Sequence, residues 1–154
     1  MQTIKEGKEK LGINDMIFKV EYADQESKIG KRAEIFIKSR TLAEITLYPD
    51  ATLFTVRHEL CHAKLFRMGI SVTNTEKDRR LFPNTINYVR IVVIVEWYIN
   101  ELQKRVFNEY YPIDQAGTSR PPPFEGLPKL PHERFTNQQI KQIFEIAKKS
   151  NSVA

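Results

Sequence analysis

The chain has 154 residues, 41% hydrophobic and 28% charged, with a net charge of +5 and a single cysteine. That size supports one domain around one core, expected to span residues 1–154, and one cysteine excludes an internal disulfide framework. The lone thiol fits a reducing compartment, so a cytoplasmic protein is expected; with no positive-then-apolar leader and Glu96 breaking the longest apolar run, neither a signal peptide nor a membrane span is expected.

In chain order, residues 3–11 read as a short charged helix closed by Gly12. Residues 16–22 are rich in β-formers and partly alternating, which predicts a strand. Residues 24–31 are polar and contain Gly30, a turn or loop. Two further strands are predicted over 33–38 and 42–48, joined by Ser39-Arg40-Thr41 as a tight hairpin. Pro49 ends the third strand, and Asp50 is placed to cap a helix running from Ala51 to about Phe66, with Met68-Gly69 marking its end. Residues 71–83 are polar, a loop or short irregular helix. A long helical pattern runs from Asn84 to about Tyr110; its β-branched run 91–95 mimics a strand, but the length and the polar spacing after Glu96 favour helix. Pro112 stops it. The segment of about 112–135 holds five prolines between residues 121 and 131 and predicts an extended strap. Thr136 and Gln139 form a capping box for an amphipathic helix over about 136–149. The fold class is therefore α+β: a small antiparallel sheet of about three strands packed on two central helices.

The chemistry concentrates in His58-Glu59-Leu60-Cys61-His62, set in a Pro-free and Gly-free apolar run. Residues four apart lie one turn apart on one helix face, so His58 and His62 can hold one cation together. Glu59 can point toward that cation without binding it. Two imidazoles with an adjacent carboxylate are what a zinc hydrolase needs, the carboxylate serving as the base that takes a proton from water. Of only three histidines in the chain, two take this spacing.

A catalytic zinc takes three protein ligands. The candidates for the third are His132, Cys61 and the acidic residues. Glu96 fits best, because a carboxylate among Val92, Val93, Val95, Trp97 and Ile99 is costly to bury unless a cation compensates it; a salt bridge with Arg90 or a nearby Lys, or a solvent-facing position, is the bland alternative. Asn100, one turn later, is placed to hold a histidine ring. Cys61 reads as a buried, inert thiol, with a metal-capping thiol as the alternative.

His58-Glu59-x-x-His62 followed by a helix with Glu96-x-x-x-Asn100 resembles the gluzincin metallopeptidases. Among these it is most similar to the ImmA/IrrE family and the minimal archaeal minigluzincins, over roughly residues 33–111. The resemblance implies a zincin-like fold, Zn2+ held by His58, His62 and Glu96, and Glu59 as catalytic base acting on a protein or peptide substrate. Many gluzincins carry Asp where this chain has Asn100. The pentapeptide is also similar to that of SprT-like proteases, whose third ligand is a downstream histidine; here that would be His132.

These readings make a zinc-dependent endopeptidase the expected function, with a catalytically silent zinc-binding regulatory protein as the alternative. Tyr88, Arg90, Tyr98, Tyr110 and Tyr111 are candidates for stabilising the oxyanion. The strand over 42–48 is expected to offer its edge to an extended peptide, as the resembled peptidases do. Two courses are open to the strap: across the zinc, making the protein self-inhibited, or against the far side of the sheet. Lys and Arg are scattered among Glu rather than clustered with aromatics, so no nucleic-acid surface is expected.

Overall fold

Three strands and four helices carry the alternating and helical patterns of the sequence in a computed structural model that describes residues 2–70, 85–109 and 121–148. In chain order they are α1 (Gln2–Leu11), β1 (Ile17–Tyr22), β2 (Ala33–Ile37), β3 (Leu42–Leu47), α2 (Leu53–Arg67), α3 (Thr85–Phe107) and α4 (Asn137–Lys148). The expected irregular segment 71–83 lies outside the described residues. Among the described residues, no helix is long and apolar enough to cross a membrane.

The sheet is mixed, not antiparallel as expected, with strand order β1-β3-β2. β3 lies in the middle, antiparallel to β2 and parallel to β1, with Ile45 opposite both Val20 and Ile35. The hairpin between β2 and β3 forms as predicted, closed by Lys38 and Ser39 donating to the Leu42 carbonyl. The error came from β1. Period-two alternation is blind to strand direction, and residues 23–32 carry the chain past one strand position before β2 begins.

One face of the sheet is apolar. Ala43, Ile45 and Leu47 of β3 are buried there, with Ala33 of β2, and Val20 and Ile35 pack against the same core. The other face carries Lys19, Glu21, Glu34 and Glu44 into solvent, with Lys38 and Glu44 paired at 3.4 Å. The core joins this sheet to α1, α2, α3 and α4 in one cluster. Gly7 lets α1 approach α2 closely, since a Cβ there would collide with the Leu60 side chain.

α2 begins two residues later than the expected Asp50 cap. Thr52 is its N-cap: the Thr52 hydroxyl accepts from the Thr55 amide and the Thr55 hydroxyl from the Thr52 amide, each at 3.2 Å. This reciprocal pair satisfies two of the free N–H groups at the helix start, which one aspartate at position 50 would not do. At the other end Gly69 takes φ +112 against Ile140, where a Cβ would sit 2.7 Å from Cδ1. The predicted capping box of α4 is present, Thr136 and Gln139 exchanging bonds of 2.9 and 3.1 Å.

Candidate metal centre

α2 and α3 pack side by side in opposite directions. Gln103, late in α3, donates to the Phe54 carbonyl at the start of α2 (3.1 Å) and to Glu109 (2.9 Å). Arg57 closes this knot, donating to Glu109 at 3.0 Å with its guanidinium 4.9 Å from the Phe107 ring centre. Gln103 is buried, so the knot seals one end of the seam between the helices. With that end fixed, the middle of α3 falls opposite the middle of α2, and Glu96 meets the two histidines.

The Nε2 atom of His58 lies 3.3 Å from one Glu96 carboxylate oxygen, and the Nε2 of His62 lies 3.5 Å from the other. The two rings sit edge to face, 5.1 Å apart. One ligand atom from each of the three residues falls within 4.8 Å of the others, and among the described residues no other group of three or more His, Cys, Asp or Glu does so. Zinc bonds of about 2.0–2.2 Å in a tetrahedron separate neighbouring ligand atoms by roughly 3.3–3.6 Å. Both His–Glu96 separations match that spacing, and the three side chains together could hold a metal ion.

Electrostatics agree with the geometry. Burial alone would push the Glu96 carboxyl up, but the hydrogen bonds from His58 and His62 outweigh it and hold the group well below the ordinary carboxylate range. Burial works against a charged His58, yet the hydrogen bond to Glu96 prevails and raises its pKa. Glu59 is not among the three. It is 8% exposed, and burial raises its carboxyl above the ordinary value, partly offset by the two imidazoles and by Lys31. A carboxyl shifted toward neutrality beside a cation site is suited to taking and returning protons.

The other expected participants divide. Asn100 is half-buried on α3 and makes no hydrogen bond with either ring among the described residues. His132 is exposed on the strap and belongs to no ligand cluster. Cys61 is buried in the core, where burial pushes its thiol far up, as expected for an inert thiol. Arg90 does not pair with Glu96 or face the site: it donates to the Ile146 and Ala147 carbonyls at the end of α4 and stacks on Phe124 at 4.0 Å. Tyr98 is buried and donates to the Pro128 carbonyl at 2.6 Å, which removes it as an oxyanion donor. Tyr88 packs half-buried against the core, and Tyr110 and Tyr111 lie outside the described residues.

Described strap residues 121–135 take neither expected course. Tyr98 binds Pro128, Arg105 donates to the Leu130 and Pro131 carbonyls at 2.6 and 2.7 Å, and Phe135 joins the Met68 carbonyl through its amide. At 100° per residue, Tyr98 and Arg105 project from the side of α3 opposite Glu96, so this part of the strap runs behind the helix. Residues 112–120 lie outside the described set.

No protein-family model, curated protein or solved structure matches the chain.

Proposed function

We propose that this chain is a zinc-dependent endopeptidase of the gluzincin type. The observation that carries the reading is the convergence of His58, His62 and Glu96 at zinc-ligand spacing, with Glu59 buried beside them and free of that ligand set. A purely structural zinc site fills its places with Cys or His and has no use for a fourth, base-like carboxylate.

Zinc, when bound, lowers the pKa of water toward 7 and polarises a carbonyl. The residues do the rest. His58, His62 and Glu96 hold the cation in the seam. Glu59 accepts the proton of the attacking water and passes it to the leaving amine. The peptide-binding edge moves from β3 to β2, because β3 is paired on both sides. Arg32 and Lys38 bond to β3, so by antiparallel alternation the outward amides and carbonyls of β2 belong to Ala33, Ile35 and Ile37. β2 also packs on α2, which sets a strand edge unpaired among the described residues beside the helix that carries the histidines.

The test is hydrolysis of an unfolded protein by the zinc-loaded chain, with Glu59→Gln as control. The control is expected to keep its zinc and lose about 10^2–10^4 in rate, the usual worth of a general base. A wild type that binds zinc yet is as inert as Glu59→Gln would overturn the peptidase and leave a silent zinc-binding regulatory protein.

A further inference from the structure

β1 and β2 are the outer strands of the sheet, and their far edges differ in charge. Ile17 and Ala23 donate inward to the Thr41 and Leu47 carbonyls at 2.8 and 2.9 Å. By alternation along the parallel ladder, Lys19 and Glu21 also bond toward β3, so the amides and carbonyls of Phe18, Val20 and Tyr22 point to the far edge of β1. Among the described residues that edge pairs with no strand. Residues 2–70 are described without a break, so the segments leading into and out of β1 belong to that set.

On the outer face of the sheet, Glu34 pairs with Lys31 and Glu44 with Lys38, each at 3.4 Å. Lys19 and Glu21 are exposed and have no ion-pair partner among the described residues, although Lys19 stands opposite Glu44 in the register. The two flank Val20, and the order Phe18-Lys19-Val20-Glu21-Tyr22 is complementary to itself read backwards. A second copy laid antiparallel along β1, with Val20 opposite Val20, sets each Lys19 against a Glu21 and each Phe18 against a Tyr22. The Val20 pair and the Phe18–Tyr22 pairs then exchange backbone hydrogen bonds, because their polar groups already point outward. The Lys19–Glu21 pairs fall at the other positions of the ladder, where Cα atoms approach to about 4.5 Å. Tyr22, 63% exposed, gains an aromatic neighbour there.

Opposite charges directly across an antiparallel pair stabilise it, and like charges destabilise it. Moving the two-fold axis to Lys19 or to Glu21 would set lysine on lysine or glutamate on glutamate, so charge selects one register. The edge of β2 fails the same comparison. Centred on Ile35, it would bring Arg32 against Lys38 of the copy, cation on cation at both ends of the strand. Proteins commonly blunt a strand edge with charges that repel a copy, whereas β1 carries charges that match one.

We propose that the chain forms a two-fold symmetric dimer through β1, joining two three-stranded sheets into one continuous sheet with β2 at both outer edges. The surface uses none of His58, Glu59, His62 or Glu96, so it stands or falls apart from the peptidase reading. The experiment is sedimentation velocity of the full chain over a range of concentrations, wild type against Lys19→Glu and Glu21→Lys. A concentration-dependent monomer–dimer equilibrium is expected for the wild type. Each variant should weaken it by about tenfold or more, since two attractive contacts become two repulsive ones. The thermal midpoint of the monomer should not move, because both positions are exposed. Mixed in equal amounts, the two variants should pair with each other about as tightly as wild type, because every acidic side chain at the edge then meets a lysine. A wild type that stays monomeric at its highest soluble concentration would overturn the β1 dimer. So would a dimer indifferent to both reversals, or variants that stay apart when mixed.

Discussion

The two sides of α3 are built differently. On the side of Tyr98 and Arg105, every polar group named is committed: the tyrosine hydroxyl to Pro128, the guanidinium to two strap carbonyls, the Tyr98 ring to Phe135 at 5.1 Å. On the side of Glu96, a carboxylate faces two imidazoles beside a row of exposed valines. The same helix thus serves as structural spine behind and carries one of the three candidate metal-holding side chains in front. A substitution behind should cost stability and spare metal binding, whereas one in front should do the reverse.

The largest stability effect is expected behind. Tyr98→Ala removes a fully buried ring and should cost about 3–5 kcal/mol, as core aromatic truncations do. Tyr98→Phe keeps the ring but strands the Pro128 carbonyl, and about 1–3 kcal/mol should be lost. Denaturant unfolding reads both, and zinc affinity of the folded fraction should be unchanged. Loss of zinc from a well-folded Tyr98→Phe protein would show that the two sides are not independent.

The smallest effect is expected away from both sides, at Asp15, whose carboxyl the hydrogen bond from Arg67 holds below the usual range. A carboxyl lowered in the folded state stabilises above its unfolded value, about 3.9, and that contribution fades as pH falls through the folded value. Asp15→Asn should therefore be slightly less stable near neutrality and converge with wild type in acid. The pair is exposed, so the gap should be small. A gap that widens on acidification would reverse the sign and exclude this origin.

Much of the front side was legible in the sequence, because its signal is local. His58, Glu59 and His62 sit within one turn and a half of helix, and Glu96 stood out as a carboxylate inside an apolar run. What depends on pairing across the chain was not legible. The direction of β1 relative to β3 leaves no mark on alternation, so the sheet was expected to be antiparallel and β3 to be an edge. Asp50 is a good cap by residue type, but only the Thr52–Thr55 pair satisfies two helix amides at once. The β-branched run 91–95 hid two opposite faces, one buried and one exposed at Val93, which only the packing of α3 separates. Tyr98 and Arg90 looked like site residues because sequence gives residue type and not the partner each finds.

The most direct test of the front side is zinc content by titration into metal-free protein, wild type against Glu96→Ala. One zinc per chain in the wild type is expected. The variant should lose more than the roughly 10–100-fold in affinity that follows loss of a ligand's supporting partner, since Glu96 is placed as a ligand itself. Zinc bound by neither protein, or held equally tightly by both, would contradict a centre built from His58, His62 and Glu96.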